Sequence, residues 1–191
     1  KKFKVQNSKL KVKRKLGWGD KFVVLFVGRF VSEKGIKELI SAAKVWDKKI
    51  TLAIAGSGPL ESYIKHETSN FGHIKFLGRL SQDELPLYYS GANLLIVPSV
   101  HEEGFGRVVL ESLASGTPVI GASRGAIPEA MDESVGKLIE ITSENIKIAV
   151  EYFYENPVKL DLLSKNCRGF AVKRYSEKNV EKIINSYSGK D

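Results

Sequence analysis

Apolar positions fall in short blocks along the chain, separated by polar and glycine-bearing stretches. FVVLFV, Phe22–Val27, is a continuous apolar run, the pattern of a strand buried on both faces. Glu33 to Trp46 then reads at helical spacing, with Ile36, Leu39, Ile40, Ala43 and Trp46 apolar. ITLAIA, Ile50–Ala55, predicts a second buried strand, and GSGP after it a tight turn with Pro59 opening a helix. HIKFLG, His73–Gly78, predicts a short third strand. SQDELPLYYSGA follows as a helix, capped by Ser81 with Glu84 three residues on. NLLIVP, Asn93–Pro98, reads as a fourth strand, and PVIG, Pro118–Gly121, as a fifth. A helix lies between them.

Beyond Arg124 the pattern weakens. GKLIE predicts a sixth strand, and from Ser143 onward the chain reads as helices with breaks near Asn156-Pro157 and Tyr175-Ser176. Strict alternation of strand and helix predicts an α/β fold, doubly wound around a mainly parallel sheet, with extra C-terminal helices. In such sheets ligands sit beyond the carboxyl ends of the strands, so the residues that follow each strand are the candidates for chemistry.

After the first strand comes GRFVSEKG, with Gly28, Arg29, Lys34 and Gly35. Two cations near a helix start can hold a diphosphate. The same two can also pair with a surface acid and with solvent. Gly56-Ser57-Gly58-Pro59 does not complete a dinucleotide fingerprint, because Glu61 stands where the third glycine would fall. After the fourth strand comes HEEGFGRVVLESLASGTPVI, His101–Ile120. Gly104 and Gly106 allow close backbone approach. The amides of Phe105, Gly106 and Arg107 fall at a helix start, where donors without helical partners suit phosphate oxygens. Glu111 lies roughly 7–8 Å further along the helix axis. A carboxylate there can accept from a ribose diol, and Glu103 in the loop from hydroxyls of a second sugar. Two glutamates eight apart are also common on solvated helices, but Glu111 is set between Val108-Val109-Leu110 and Leu113-Ala114.

Composition changes the picture at one end. The net charge is +8, yet Lys1–Lys15 holds eight Lys and Arg and no acid, so the remainder is balanced. A basic arm of this kind can meet nucleic acid or anionic lipid; a solvated linker at a domain edge accounts for it as well. Phe3 is its lone aromatic residue, and no nucleic-acid partner is expected. The first residue is not Met, which fits a fragment or a processed chain. No apolar run is long enough for a membrane helix, and no signal peptide is visible. The single Cys167 suits a reducing compartment, so a cytoplasmic location is expected. His66, His73 and His101 lack metal-ligand spacing, no D-x-D pair occurs, and no metal or cofactor is expected.

The ordered set VGRFVSEKG, AGSGP, FLGRLSQDELPLYYSGANLLIVPS, Glu103-GFGRVVL-Glu111 and ASGTPVI resembles the C-terminal, donor-binding domain of GT-B-fold retaining glycosyltransferases. These are the group called family 4 or glycosyl transferases group 1. The resemblance extends from about Phe22 to the C-terminus. It implies a Rossmann-like half of a GT-B fold and a nucleotide-diphosphate sugar, with UDP, GDP or ADP, as substrate. It implies that Arg29 and Lys34 hold the donor diphosphate, with Gly28 also in the donor nucleotide-sugar site, that Glu103 contacts the sugar, and that Glu111 contacts the ribose. Gly104, Phe105, Gly106 and Arg107 would meet phosphate or sugar through the backbone, and Leu80 would flank the base. Arg29, Lys34 and Glu103 are then the catalytic candidates, acting without metal to transfer a hexose, mannose or glucose, with retention.

The resemblance also implies a partner, an N-terminal acceptor-binding domain absent from this chain. Residues 1–21 are read as arm and linker, 22–175 as the donor domain, and 176–191 as a helix that packs on the missing domain. Alone, the chain is expected to be inactive. Peripheral membrane contact at the inner face follows if the acceptor is a lipid. RGAIPEAMDESVGKLIE departs from the family's G-G-x-P-E segment, since Arg124 replaces a small residue. The rival readings are a related sugar epimerase or phosphorylase, a stand-alone nucleotide-sugar-binding module without catalysis, and nucleic-acid binding through the arm.

Overall fold

The structure, a computed structural model, describes residues 9–101 and 106–175. Six strands form one sheet: β1 (Phe22–Arg29), β2 (Ile50–Ser57), β3 (Ile74–Gly78), β4 (Leu94–Val97), β5 (Val119–Ala122) and β6 (Gly136–Ile139). Their order is β3-β2-β1-β4-β5-β6 and every pairing is parallel. The helices are α1 (Lys9–Lys15), α2 (Ile36–Val45), α3 (Glu61–Thr68), α4 (Leu85–Gly91), α5 (Arg107–Ala114), α6 (Ile127–Ala130), α7 (Ser143–Glu155) and α8 (Pro157–Tyr175).

The apolar runs dictate the layering. Successive strand residues point to opposite faces, so a run such as Val23-Val24-Leu25-Phe26 feeds two cores at once. Val24 and Phe26 join Leu52, Ile54 and Ile96 under α2, α3 and α7. Val23 and Leu25 join Ala53, Leu95 and Val97 under α4, α5 and α6. Helix α8 serves both faces: Leu160 and Leu163 lie in the first core, Cys167 and Ala171 in the second. Each fully buried Leu, Ile or Phe contributes about 1.5–3 kcal/mol, less the entropy of ordering it.

Several boundaries differ from the sequence reading. The predicted helix 33–46 opens as a 3-10 turn, Ser32–Lys34, and α2 begins only at Ile36, because Gly35 between them takes φ +63°. Pro59 precedes α3 by two residues rather than opening it. The Ser81–Glu84 capping box forms, with Ser81 N donating to Glu84 Oε2 at 2.8 Å, but it closes a turn just before α4. α6 went unread inside RGAIPEAM. Part of the basic arm is not solvated. Helix α1 packs against α4, with Val12 and Trp18 buried and the Trp18 ring edge-on to Tyr88 at 5.7 Å. The apolar residues Val12, Leu16 and Trp18 share the arm with its cations and fold it down. Residues 176–191 lie outside the described residues.

Candidate functional site

β1 and β4 are adjacent at the centre of the sheet, and the strand order runs away from them in opposite directions. That reversal leaves a crevice beyond their carboxyl ends. The chain leaves β1 through Gly28 and Arg29 and leaves β4 through Pro98, Ser99 and Val100. The two exits are stitched together. Val100 N donates to Glu33 O at 2.9 Å. Gly35 lies so close to Pro98 that a Cβ there would sit 1.8 Å from the Pro98 carbonyl oxygen. Arg124, the departure from the family pattern, donates from Nη1 to Val100 O at 2.6 Å. Arg124 therefore ties the loop after β5 to the loop after β4.

A cleft of about 250 Å³ occupies the crevice, lined among others by Gly28, Arg29, Lys34, Ser99 and Arg107. A second, of about 480 Å³, adjoins it, sharing Val27, Gly28 and Arg29 and reaching Ser57, Arg79 and Leu80. Its wall is the GSGP turn. Gly56 and Gly58 have φ +143° and +156°, and a Cβ on Gly56 would meet the Gly28 carbonyl oxygen at 1.8 Å. Among the described residues, no carboxylate lines either cleft, whereas Arg29, Lys34, Arg107 and Arg79 all do. The edge is therefore cationic and suited to a polyphosphate. α5 adds its amino end: Gly106, in the left-handed region at φ +61°, is the N-cap. The first amides to bond back to its carbonyl are those of Val109 and Leu110. The Arg107 and Val108 amides come before them, and both residues border the first cleft.

Glu111 is 8% exposed and both carboxylate oxygens are engaged. Tyr89 Oη donates to Oε2 at 3.0 Å and Arg107 Nε to Oε1 at 2.9 Å. Burial, then the Glu111 charge, pushes the Tyr89 phenol well above its ordinary value, so it stays a donor. Tyr89 is fixed in turn by Thr117, whose hydroxyl donates to the Tyr89 carbonyl at 2.7 Å. Glu111 lines a separate hollow of about 390 Å³ between α5 and the end of α8, and Arg107 lines both this and the first cleft.

The structure thus brings Gly28, Arg29, Lys34 and Arg107 to one cleft and Leu80 to the adjoining one, with Glu111 reached through Arg107. Gly106, the N-cap of α5, is buried. Glu103, Gly104 and Phe105 lie outside the described residues. Sequence reasoning missed Arg79, Ser99 and Tyr89. Arg79 had a signal, since it follows β3 as Arg29 closes β1. Tyr89 had none beyond its place in an apolar helix. His73 and Cys167 have structural roles: His73 Nε2 lies 2.8 Å from the Ala43 carbonyl oxygen, and the buried Cys167 thiol, pushed up to about 12 by burial, donates to Leu163 O at 3.1 Å.

The sequence profile of glycosyl transferases group 1 matches residues 8–170. The chain belongs to this family. An uncharacterized glycosyltransferase of Methanocaldococcus jannaschii is 31% identical over 188 residues, covering 94% of this chain and 48% of that protein. The GDP-mannose-dependent alpha-(1-6)-phosphatidylinositol monomannoside mannosyltransferase of Mycolicibacterium smegmatis is 29% identical over 149 residues, covering 71% of this chain and 39% of that protein. Among solved structures, Anabaena HepE in complex with UDP-glucose superposes with a TM-score of 0.86 at 23% identity, over 98% of this chain and 54% of that one. At that identity the likeness bears on the fold alone. The chain spans about half the length of the curated relatives it matches. Among the described residues, no helix is long and apolar enough to cross a membrane.

Proposed function

We propose that this chain is the donor half of a retaining, metal-independent hexosyltransferase. It binds a nucleoside-diphosphate sugar along the carboxyl edge of β2, β1 and β4, and a second domain carries the acceptor. The observation that carries the reading is the convergence of Arg29, Lys34 and Arg107 with the α5 amino end on one cleft that, among the described residues, no carboxylate lines. Cations and helix amides aimed at a leaving diphosphate stabilise the charge that develops as the glycosidic bond breaks, the more so in a desolvated cleft. Arg29 and Lys34 grip the diphosphate, and Glu103 takes the sugar hydroxyls. Glu111, held by Tyr89, takes the ribose diol once Arg107 turns toward phosphate. Leu80 and Arg79 flank the base. Retention follows from attack on the face that the diphosphate leaves, with a phosphate oxygen taking the acceptor proton.

HepE binds UDP-glucose and the M. smegmatis relative uses GDP-mannose, so UDP and GDP are the first bases to test, with ADP third. Calorimetric titration of each, with and without Mg²⁺, decides it. One nucleotide binds saturably and without metal; Arg29→Ala weakens it about tenfold to a hundredfold, the size of a lost charged hydrogen bond, and Glu111→Ala weakens it as well. Binding unchanged by Arg29→Ala would overturn the assignment. Transfer requires the second domain, so turnover by this chain alone would count against the half-site reading.

A further inference from the structure

A hollow of about 1030 Å³ lies away from both carboxyl-edge clefts. It lies at the opposite edge of the sheet, where the chain enters β1, β2 and β4, and α1 and α8 wall it. Six cations line it: Lys9, Lys13, Lys21, Lys49, Lys165 and Arg168. Two carboxylates, Asp20 and Asp161, accompany them, and Asp161 pairs with Lys165 at 2.6 Å. Its apolar surface includes Phe22, Tyr154 and Leu160. The serine hydroxyls at its rim donate to the backbone instead: Ser115 to Glu111 O at 2.8 Å and Ser164 to Gly116 O at 2.6 Å. The cations are therefore the charged donors that the lining offers a ligand. Lys13 is built in, 5% exposed, with Nζ held 2.6 Å from Lys21 O. Burial, then the Lys13 charge, lowers Lys9 to about 8, with Asp161 acting the other way.

We propose that this hollow is a second anion site, which takes the phosphate of an amphiphilic phosphate ester whose organic part lies against Phe22, Tyr154 and Leu160. The two helices that wall it also expose apolar side chains: Leu10 on α1 is 53% exposed, and Val158 and Leu162 on α8 are 84% and 53% exposed. Cations beside exposed apolar side chains hold proteins at anionic membrane surfaces. The phosphate thus comes from a lipid headgroup or from a soluble ester. The site shares no lining residue with either carboxyl-edge cleft, so it stands independently of the donor assignment.

The test is cosedimentation of the chain with phosphatidylcholine vesicles, with and without phosphatidylglycerol, alongside titration with glycerol 3-phosphate and a soluble short-chain phosphatidylglycerol. The triple variant Lys9→Gln, Lys49→Gln, Arg168→Gln spares the structural Lys13 contact, and the exposed single variant Lys49→Glu guards against a folding failure. Binding to phosphatidylglycerol vesicles alone identifies a membrane headgroup; binding to the soluble esters as well identifies a free ligand. In either case the triple variant loses on the order of a hundredfold, the weight of three cations at an anionic surface, and Lys49→Glu moves in the same direction. Nucleotide binding stays unchanged in both variants. No binding to any of these probes, or binding undiminished in the triple variant, overturns the proposal. So does equal binding of duplex DNA that is lost in the same variant, which would mark a nonselective polyanion surface.

Discussion

Gly35 can be tested against a control within the same molecule. Gly35, Gly17 and Gly19 all occupy the left-handed region, at φ +63°, +68° and +52°. For an L residue that conformation costs roughly 1–2 kcal/mol, and the stiffer unfolded chain of an alanine variant offsets about 0.4–1 kcal/mol of it. At Gly17 and Gly19 nothing else intrudes, since no atom lies within 4 Å of an added Cβ. At Gly35 the new atom would stand 1.8 Å from Pro98 O and 2.8 Å from Pro98 C, where ordinary contact begins at 3.4 Å. The obstacle is backbone and cannot rotate away. The turn after β1 and the loop after β4 must separate, straining the packing and the Val100–Glu33 hydrogen bond. Gly17→Ala should therefore cost roughly 1 kcal/mol and Gly35→Ala about 3–5 kcal/mol. In a domain of this size these correspond to about 2–4 °C and about 10 °C or more of melting temperature. Thermal and urea unfolding of both variants measure it. Equal losses at the two sites would show that the β1 and β4 exits are not locked together and would remove the rigid frame from under Arg29 and Lys34.

Two further outcomes are expected. Tyr89→Phe keeps the buried ring but removes the donor to Glu111, so stability should fall by about 1.5–3 kcal/mol in urea unfolding. Nucleotide affinity in calorimetry should fall with it; an unchanged value in both would mean the hydroxyl holds nothing. The second concerns pH. Lys9 is lowered in the folded chain, so between about pH 8 and its ordinary 10.5 the unfolded chain binds more protons and stability rises with pH. Cys167, raised in the folded state, acts in the opposite sense above its ordinary value of 9.0. The Lys9 effect is thus best read from about pH 7.5 to 9, as a rise that is smaller in Lys9→Met than in the parent chain, since the buried Lys13 is lowered too; parallel profiles would refute it.

The sheet was legible in the sequence because parallel strands buried on both faces leave unbroken apolar runs, as β1, β2 and β4 do; β3 and β6, interrupted by the exposed Lys75 and Lys137, gave a weaker signal. The position of Arg29 and Lys34 was legible for the same reason, since a strand's carboxyl end can be located once the strand is. What escaped depends on contacts between distant segments. Periodicity cannot report that Tyr89 reaches Glu111, that Pro98 forbids a side chain at Gly35, or that Arg124 crosses to Val100. The arm misled through its charge. Eight cations without an acid describe a solvated segment, and only the spacing of Val12, Leu16 and Trp18, weak over so few residues, announces a docked helix.

The position of β1 has a consequence for synthesis on the ribosome. β1 is made before the other strands of this sheet and stands at its centre, and β2 and β3 can pair outward from it as they emerge. Its other edge waits for β4: the Val23 amide is finally met by Asn93, 70 residues later. At about 5–20 residues per second, that edge stays open for several seconds on every nascent chain. During this time the apolar side chains beneath it lack α4 and α5 as cover. An open parallel edge above uncovered apolar surface invites pairing with another chain. The same strand order that creates the crevice thus gives each new molecule an interval of vulnerability, which the ribosome and its chaperones must shelter.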